Sequence, residues 1–521
     1  IVVTIQMKKV EDIIRSLSDK EAKNFIFFVN RMRTSQKESK IVQLFEAYYH
    51  QTYKNNEQII LELFPGMSKN AFYRLRNRLL DEVQQILLVQ YSRMDDELVV
   101  HRMIMLARIA FNKDDYSSAH TLLLEAEKKA LKIEAYELAM IIYKELISMS
   151  SLVGMVNSHT YIEKRREIRL KHNNISELRY LLASVTFKLT ESIHNSKTEK
   201  EIVKALREIK DKLLESDLAK TSFNVRYNVH QSIGSILYEE KKYDLLLEHL
   251  IKGYEEFMQS DFQEKANHRR KIVSLSWIIA AYHWLLRIPE SILYLDEMRE
   301  ALTQYDGILE DKFKPFYVTY QNSVYFHTRQ LDKSLKTLDR FTEEYLQGRD
   351  IVHLSELPQS VLVGHFGRLV QTHFAKEGYD NALKQLSPCY ITEIHDKLPR
   401  EFRMEIAIME AIIYFEKKEY KYALDHLRRT KRMYKKLLAE PKNIIFKSFL
   451  TLLNMLVKNG GFDLSKEQQN SIDAFIKTHP RYGEPFEKCI NYKVWLEAKI
   501  REKGYYDVVI EYAEKGTKSS S

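Results

Sequence analysis

The sequence is poor in chain breakers. Fourteen glycines and nine prolines in 521 residues leave too few tight turns for a β-sandwich or a doubly wound sheet. Cysteine occurs twice, at Cys389 and Cys489. The two stand far apart in the chain and in no CxxC pair, so no disulfide framework is expected. Both read as small buried hydrophobes in a reducing cytoplasm. Nowhere do about 20 uncharged apolar residues run together. The most apolar stretch, Ile444 to Val457, is broken by Lys447 and Asn454, so no membrane insertion is expected. Signatures of catalysis are also missing. Gly364-His365-Phe366-Gly367 lacks the third glycine and the preceding strand of a phosphate loop. There is no His-Glu-x-x-His and no Gly-x-Ser-x-Gly elbow. The 17 histidines are scattered. His365 and His373 share one expected helix but stand eight residues apart, about 12 Å along its axis, which does not favour a shared metal. The expectation is a chain with no enzymatic activity, no cofactor and no metal.

What is present points to helices. Leu, Lys, Glu and Tyr are abundant, and 45% hydrophobic with 29% charged residues supplies both a core and solubility. The length exceeds that of one compact core, which implies several domains or a quasi-linear array. The net charge of +9 is mild for this length; it permits nucleic-acid binding without demanding it.

One local pattern recurs: an apolar helix, a charged turn closed by Tyr, and a second apolar helix. It is seen at Asn112-Lys113-Asp114-Asp115-Tyr116, Glu240-Lys241-Lys242-Tyr243, Lys376-Glu377-Gly378-Tyr379, Lys418-Glu419-Tyr420 and Glu502-Lys503-Gly504-Tyr505. A small residue often follows three places on, at Ala119, Ala382 and Ala423. Weaker turns fall at Ile288-Pro289, Gln330-Leu331 and Asn459-Gly460-Gly461-Phe462. From Tyr243 onward the turns come every 41 to 48 residues, a spacing typical of helical-hairpin solenoids. The interval between Tyr116 and Tyr243 predicts two further turns near 159 and 200. Thr160 with Glu163, and Thr198 with Glu201, offer capping boxes there. The fold expected is therefore all-α: an α-α superhelix of about ten hairpins. The turn Tyr would wedge between paired helices, and the small residue would let their backbones approach.

The Tyr at the turn and the Ala soon after resemble the tetratricopeptide repeat. The period departs from that family's 34 residues, and its early Trp-x-x-Leu-Gly element is absent. The resemblance spans roughly residues 98 to 515. It implies a solenoid that recognises a protein or peptide partner, but it carries over no ligand-binding positions.

Residues 7–95 read as a separate helical bundle. Leu17-Ser18-Asp19-Lys20-Glu21 is a helix start, with Ser18 and Glu21 as capping box and Leu17 as staple. Helices follow that place Phe25, Phe28 and Val29, then Ile41, Leu44, Phe45 and Tyr48, inward. After Ile59 to Phe64 and a Pro65-Gly66 turn, a long helix runs from about Lys69 to Tyr91. The Leu-Ser-x-Lys-Glu start and the Leu-Phe-Pro-Gly turn resemble the leader of an uncharacterised bacterial class of helical-repeat proteins, which implies architecture and a bacterial source. The segment holds 15 Lys plus Arg against 11 Asp plus Glu. Three readings stay open: a cap for the solenoid, a dimerisation surface, or a helix-turn-helix whose Lys69, Arg74, Arg76 and Arg78 contact DNA. Phe72, Leu75, Leu79, Val83 and Ile86 form one stripe, with Arg74 and Arg78 opposite on what looks like a solvated face. The repeat region is assigned to 96–515. Met7-Lys8-Lys9 reads as a natural start, making 1–6 an extension and 516–521 a tail.

Two basic runs stand out. Glu163 to Lys171 carries five cations; Arg428, Arg429, Lys431, Arg432, Lys435 and Lys436 place six in nine residues with no acid among them. Each is either a solvated outer face or a contact for phosphate or an acidic partner. The first helix of each hairpin commonly lines the concave side of such solenoids. On that basis Asn228, Arg270, Tyr320, Asn322, Arg368 and Arg403 are the candidate partner-binding residues, because aromatic and Arg groups anchor interfaces. The function expected is a non-enzymatic, cytoplasmic protein–protein interaction scaffold. The alternative is a nucleic-acid-associated regulator that binds phosphate through the N-terminal bundle or residues 428–436.

Overall fold

A computed structural model describes residues 10–15, 17, 19–31, 39–50, 52–53, 55–91, 96–150, 157–194, 223–259, 265–346, 348, 351–480, 482–483 and 488–518. Among these residues there is no strand. The fold is all-α, and each helix packs mainly on its neighbours in the chain, as in an α-α superhelical solenoid. None of the described helices is long and apolar enough to cross a membrane. The chain divides into two compact units, Ile1–Leu178 and Arg179–Ser521.

The first unit opens with five helices: α1 (Val10–Arg15), α2 (Asp19–Arg31), α3 (Lys40–Tyr49), α4 (Asn56–Glu62) and α5 (Lys69–Tyr91). Their apolar faces close on one another. Phe25 of α2 stacks on Phe45 of α3, with ring centroids 4.3 Å apart. Phe72, Leu79 and Val83 of α5 are buried beside them, with Leu75 and Ile86 at the margin. Phe28, expected inward, is half-buried. Ser18 lies outside the described residues, so the capping box expected there does too. Arg76 turns inward: it pairs with Glu11 at 3.1 Å, and Glu11 also accepts a bond from Asn56. Burial pushes the Glu11 carboxyl up, but its hydrogen bonds outweigh this and hold it below the usual range. Arg76 thus ties α5 to α1.

Three further helices of this unit pack in sequence, α6 (Asp96–Phe111), α7 (Tyr116–Lys132) and α8 (Tyr136–Ser150), and α9 (Ser158–His194) begins in it and runs past its end at Leu178. The helix start expected near 159 is present, but Asn157 caps it: its Oδ1 accepts from the His159 backbone N–H at 3.0 Å. The Thr160–Glu163 box is not the cap. α9 then runs unbroken to His194, and the turn expected near 200 lies outside the described residues.

The second unit contains seven hairpins among its described residues. They are α10 (Phe223–Glu239) with α11 (Tyr243–Met258), α12 (His268–Trp284) with α13 (Ile288–Thr303), and α14 (Glu310–His327) with α15 (Leu331–Leu346). Next come α16 (Gln359–Ala375) with α17 (Tyr379–Leu386) and, after the short α18 (Thr392–Lys397), α19 (Arg400–Glu416) with α20 (Tyr420–Met433). The last two pairs are α21 (Ile444–Asn459) with α22 (Lys466–Thr478) and α23 (Tyr492–Ile500) with α24 (Tyr505–Lys518).

Most hairpin turns use one device. The first helix ends on a left-handed residue, with φ of 62° at Asp114, 57° at Lys241, 58° at Leu286, 61° at Arg329, 56° at Glu377 and 60° at Lys418. The next backbone N–H then donates to the carbonyl five residues back: Lys242 to Leu237, Arg287 to Tyr282, Gln330 to Tyr325, Gly378 to His373 and Glu419 to Tyr414, at 2.9 to 3.0 Å. This is the Schellman arrangement. The residue after it opens the second helix. The turn Tyr packs on the ring five places earlier, as in Phe111–Tyr116, Tyr238–Tyr243, Phe374–Tyr379 and Phe415–Tyr420, with centroids 5.3 to 6.1 Å apart. Three residues further on the chain is fully enclosed: Ala119, Ser291, Ser334, Ala382 and Ala423 are all 0% exposed. The same turn also joins α7 to α8 at Glu134-Ala135-Tyr136, with φ 55° at Glu134.

Candidate functional site

The packing of the second unit is not only sequential. Residues 482–483 and 488–518 lie across the C-terminal halves of α12, α14 and α16. The Tyr506 hydroxyl donates to the Phe326 carbonyl at 2.6 Å, and the Tyr505 ring packs edge-on against Phe374. Arg329 reaches Glu514 at 3.3 Å. Gly483, at φ 102°, sits where a Cβ would fall 2.6 Å from the Trp284 carbonyl, and Gly367 faces the carbonyl of Lys488 at closer range still. The first-helix face on which partner-binding residues were expected is therefore covered in part by the chain's own C-terminal hairpin.

Beneath that cover lies a polar cluster. α12 contributes His283, α14 contributes Tyr320 and His327, α16 contributes Arg368, and the segment before α23 contributes Tyr482. The His283 and Tyr320 rings stand 5.8 Å apart. His327 donates from Nδ1 to the Ser323 carbonyl at 2.8 Å, so its Nε2 accepts from the Tyr482 hydroxyl at 3.0 Å. The Ser291 hydroxyl donates to the Ile288 carbonyl, so it accepts from His283 Nε2 at 3.1 Å. Both histidines are thereby fixed as neutral tautomers. Burial, with Arg368 nearby, pushes His283 well below its ordinary value and His327 down to about 4. Burial also raises the Tyr320 and Tyr482 phenols.

Arg368 is the one permanent cation of the cluster. Its Nη1 donates to Gln371 Oε1 at 2.7 Å. No carboxylate among the described residues pairs with it, and burial lowers it from its ordinary value. Deep as they are, His283, Tyr320, His327 and Arg368 all keep part of their surface accessible, as side chains lining an internal space do.

Of the sequence candidates, the structure brings Tyr320 and Arg368 together and sets the others elsewhere. Asn322 is 0% exposed and donates to Ser334 inside the α14–α15 hairpin. Arg403 meets His395 at 3.0 Å where α18 joins α19. The Arg270 guanidinium lies over the Phe223 and Tyr227 rings, 5.2 and 5.4 Å from their centroids, and bonds Asn267. Asn228 is half-buried on α10. His283, His327 and Tyr482 were not anticipated.

The phosphate or acidic-partner candidates are exposed. Lys69 pairs with Glu57 at 2.9 Å and Arg78 approaches Glu82 at 3.9 Å, while Arg74 is simply exposed. Arg428, Arg429, Arg432, Lys435 and Lys436 project from α20 and just beyond it. An acid does attend this run, since Asp425, one turn earlier, reaches Arg428 at 3.4 Å. In the other basic run, Lys164, Arg166 and Lys171 pair with Glu127, Glu163 and Glu167.

The two thiols are free and buried, as expected of small core residues. Distant in sequence, they come within electrostatic reach of one another. Burial pushes the Cys489 thiol well up, and Glu405 and Cys389 add to the shift. Among the described residues no group of three or more His, Cys, Asp and Glu is placed to hold a metal ion. No protein-family model matches the chain, no curated protein matches it in sequence, and no solved structure matches it.

One buried group sets a pH dependence. His365 of α16 is 3% exposed; its Nε2 bonds Thr342 at 3.1 Å, and burial holds it down to about 4. Between the ordinary value of 6.5 and about 4, the unfolded chain binds a proton that the folded protein refuses. Stability from this residue is therefore intact above pH 6.5 and is lost as the pH falls towards 4. The expected loss by pH 5 is about 1–2 kcal/mol. Denaturant titrations at pH 7.5 and 5.0 check it: His365→Gln should remove that part of the difference, and an unchanged difference would mean that His365 protonates freely in the folded state.

Proposed function

We propose that this chain is a non-enzymatic binding scaffold of the long-period tetratricopeptide-like kind, acting in the cytoplasm on a protein or peptide partner. The observation that carries this reading is the run of successive helical hairpins, each packed mainly on its neighbours in the chain. A repeat array places equivalent positions of successive first helices side by side, as with Tyr320 and Arg368, which stand at the same distance before the left-handed residues Arg329 and Glu377 of their turns. The N-terminal bundle, in this reading, caps the array.

The test is native affinity purification of the full chain followed by gel filtration. A partner that co-elutes in stoichiometric amount, and is lost when first-helix residues are replaced, is the expected result. Recovery of the chain alone from every native extract of its source counts decisively against the proposal.

A second reading rests on the exposed basic surface of α20. Arg428, Arg429, Arg432, Lys435 and Lys436 are all solvent-facing, which suits phosphate contact by a nucleic-acid-associated regulator. Such contact must strengthen as salt falls. A gel shift that is absent at 50 mM salt removes this alternative.

A further inference from the structure

We propose that the space bounded by His283, Tyr320, His327, Arg368 and Tyr482 is a binding site for one small carboxylic acid that carries a hydroxyl or amino group, with the Arg368 guanidinium holding the carboxylate. The inference goes beyond the scaffold reading, which concerns a macromolecular partner.

Three observations carry it. The first is the state of Arg368. An enclosed cation normally has a carboxylate beside it, because leaving one unpaired is strongly unfavourable. Arg368 spends one nitrogen on a neutral amide, Gln371 Oε1, and has no acidic partner among the described residues. The rest of its planar fork is free to take a carboxylate in bidentate fashion.

The second is accessibility at depth. Arg368, Tyr320, His283 and His327 keep accessible surface although they lie far inside the unit. Part of each of these side chains is therefore within reach of a small molecule. The Tyr320 hydroxyl, beside the His283 ring, finds no hydrogen-bond partner among the described residues, so it is available to a polar group of the occupant.

The third is the acceptor. His283 donates through Nε2 to Ser291, which leaves Nδ1 as a bare lone pair. Its depressed basicity keeps it so near neutral pH. A lone pair there repels a fully charged phosphate and welcomes an N–H or O–H donor. One guanidinium, one phenol and one imine-type nitrogen thus describe a singly charged carboxylate with a donor alongside. Tyr482 and Tyr505 of the C-terminal segment come within electrostatic reach of Arg368, so the occupant must be small enough to fit beside them.

The experiment titrates the full-length protein by calorimetry with L-lactate, glycolate and L-glutamate, with inorganic phosphate, and with a glutamate-ended hexapeptide. The expected result is saturable binding of at least one of the three acids at one site per chain. Arg368→Gln should weaken it tenfold or more and Tyr320→Phe about threefold, while the exposed control Arg432→Gln leaves it unchanged. Arg368→Gln removes an unpaired enclosed charge, so it should melt no lower than the parent, and loss of binding cannot then be ascribed to misfolding. Failure of all three acids to bind overturns the proposal. So does binding that Arg368→Gln leaves intact, or tighter binding of phosphate or of the hexapeptide at the same residue. None of these failures bears on whether the chain has a protein partner, which the co-elution test decides separately.

Discussion

Replacing Trp495 by alanine is expected to lower the unfolding free energy by about 3–5 kcal/mol, the range for deleting a large enclosed aromatic side chain. Trp495 on α23 is 0% exposed. Its indole packs edge-on against Phe415 of α19, Phe449 of α21 and Phe462 of the following turn, with centroids 5.7, 5.9 and 6.1 Å away. Its Nε1 donates to Glu416 Oε1 at 2.6 Å, and the other carboxylate oxygen of Glu416 pairs with Lys499. Alanine would open a cavity among three elements and strip one bond from an enclosed carboxylate. Trp495→Phe keeps much of the ring and loses the N–H donor, so a smaller loss of about 1–2 kcal/mol is expected. In an array whose repeats touch mainly their neighbours, damage is local at first. Hydrogen exchange in Trp495→Ala should therefore rise across residues 444–518 before it rises across α10 and α11. A denaturation midpoint unmoved by Trp495→Ala would mean that the last hairpin is not packed as described.

The array itself was legible in the sequence because its period is written in chemistry that must recur. A Tyr or aliphatic residue opening the second helix and an enclosed residue three places on serve the same packing at most hairpins, so they repeat where other positions drift. The turn at Glu134 was missed for a physical reason. Ala135 stands where most other turns carry a polar residue, and Tyr136 follows Tyr116 too closely to fit the longer period, so only Tyr136 marks it. The cap of α9 was misread because Thr160 and Glu163 match a capping box in type, while Asn157 three residues earlier makes the bond.

The candidate site was half legible. Tyr320 and Arg368 were singled out for what Tyr and Arg do at interfaces, and the fold places them in one neighbourhood. Asn322 was singled out on the same grounds, but polarity on a first helix does not say which way a side chain points. Two residues beyond Tyr320, Asn322 is turned by the helix into the α14–α15 seam, where Ser334 receives it. His283, His327 and Tyr482 left no sequence signal, because their role depends on a contact spanning 155 residues from His327 to Tyr482. The cover formed by residues 482–483 and 488–518 is tertiary in the same sense. Its one trace in the sequence is Gly364-His365-Phe366-Gly367, an odd place for two glycines once a phosphate loop is set aside.

Those two glycines give a paired prediction of opposite sign. Both lie inside α16, where glycine in place of alanine costs roughly 1 kcal/mol in helix propensity. At Gly364 an added Cβ would meet only Thr319 Cγ2 at 3.7 Å, an ordinary contact. Gly364→Ala is therefore expected to raise stability by about 0.5–1 kcal/mol. At Gly367 the same methyl would run into the backbone carbonyl of Lys488. Lys488 cannot easily yield, because its own N–H, one peptide earlier, donates to Glu405 Oε2 at 2.7 Å. Gly367→Ala should gain the same propensity and still lose about 2–3 kcal/mol net to overpacking. Its damage should fall on residues 488–518, seen as faster hydrogen exchange and earlier proteolytic cleavage there. The first hairpins of the unit should keep their protection. Two equal substitutions one helical turn apart isolate the close approach from helix propensity. If both variants gained stability, the C-terminal segment would not lie against α16, and the covered face would be open to a partner along its whole length.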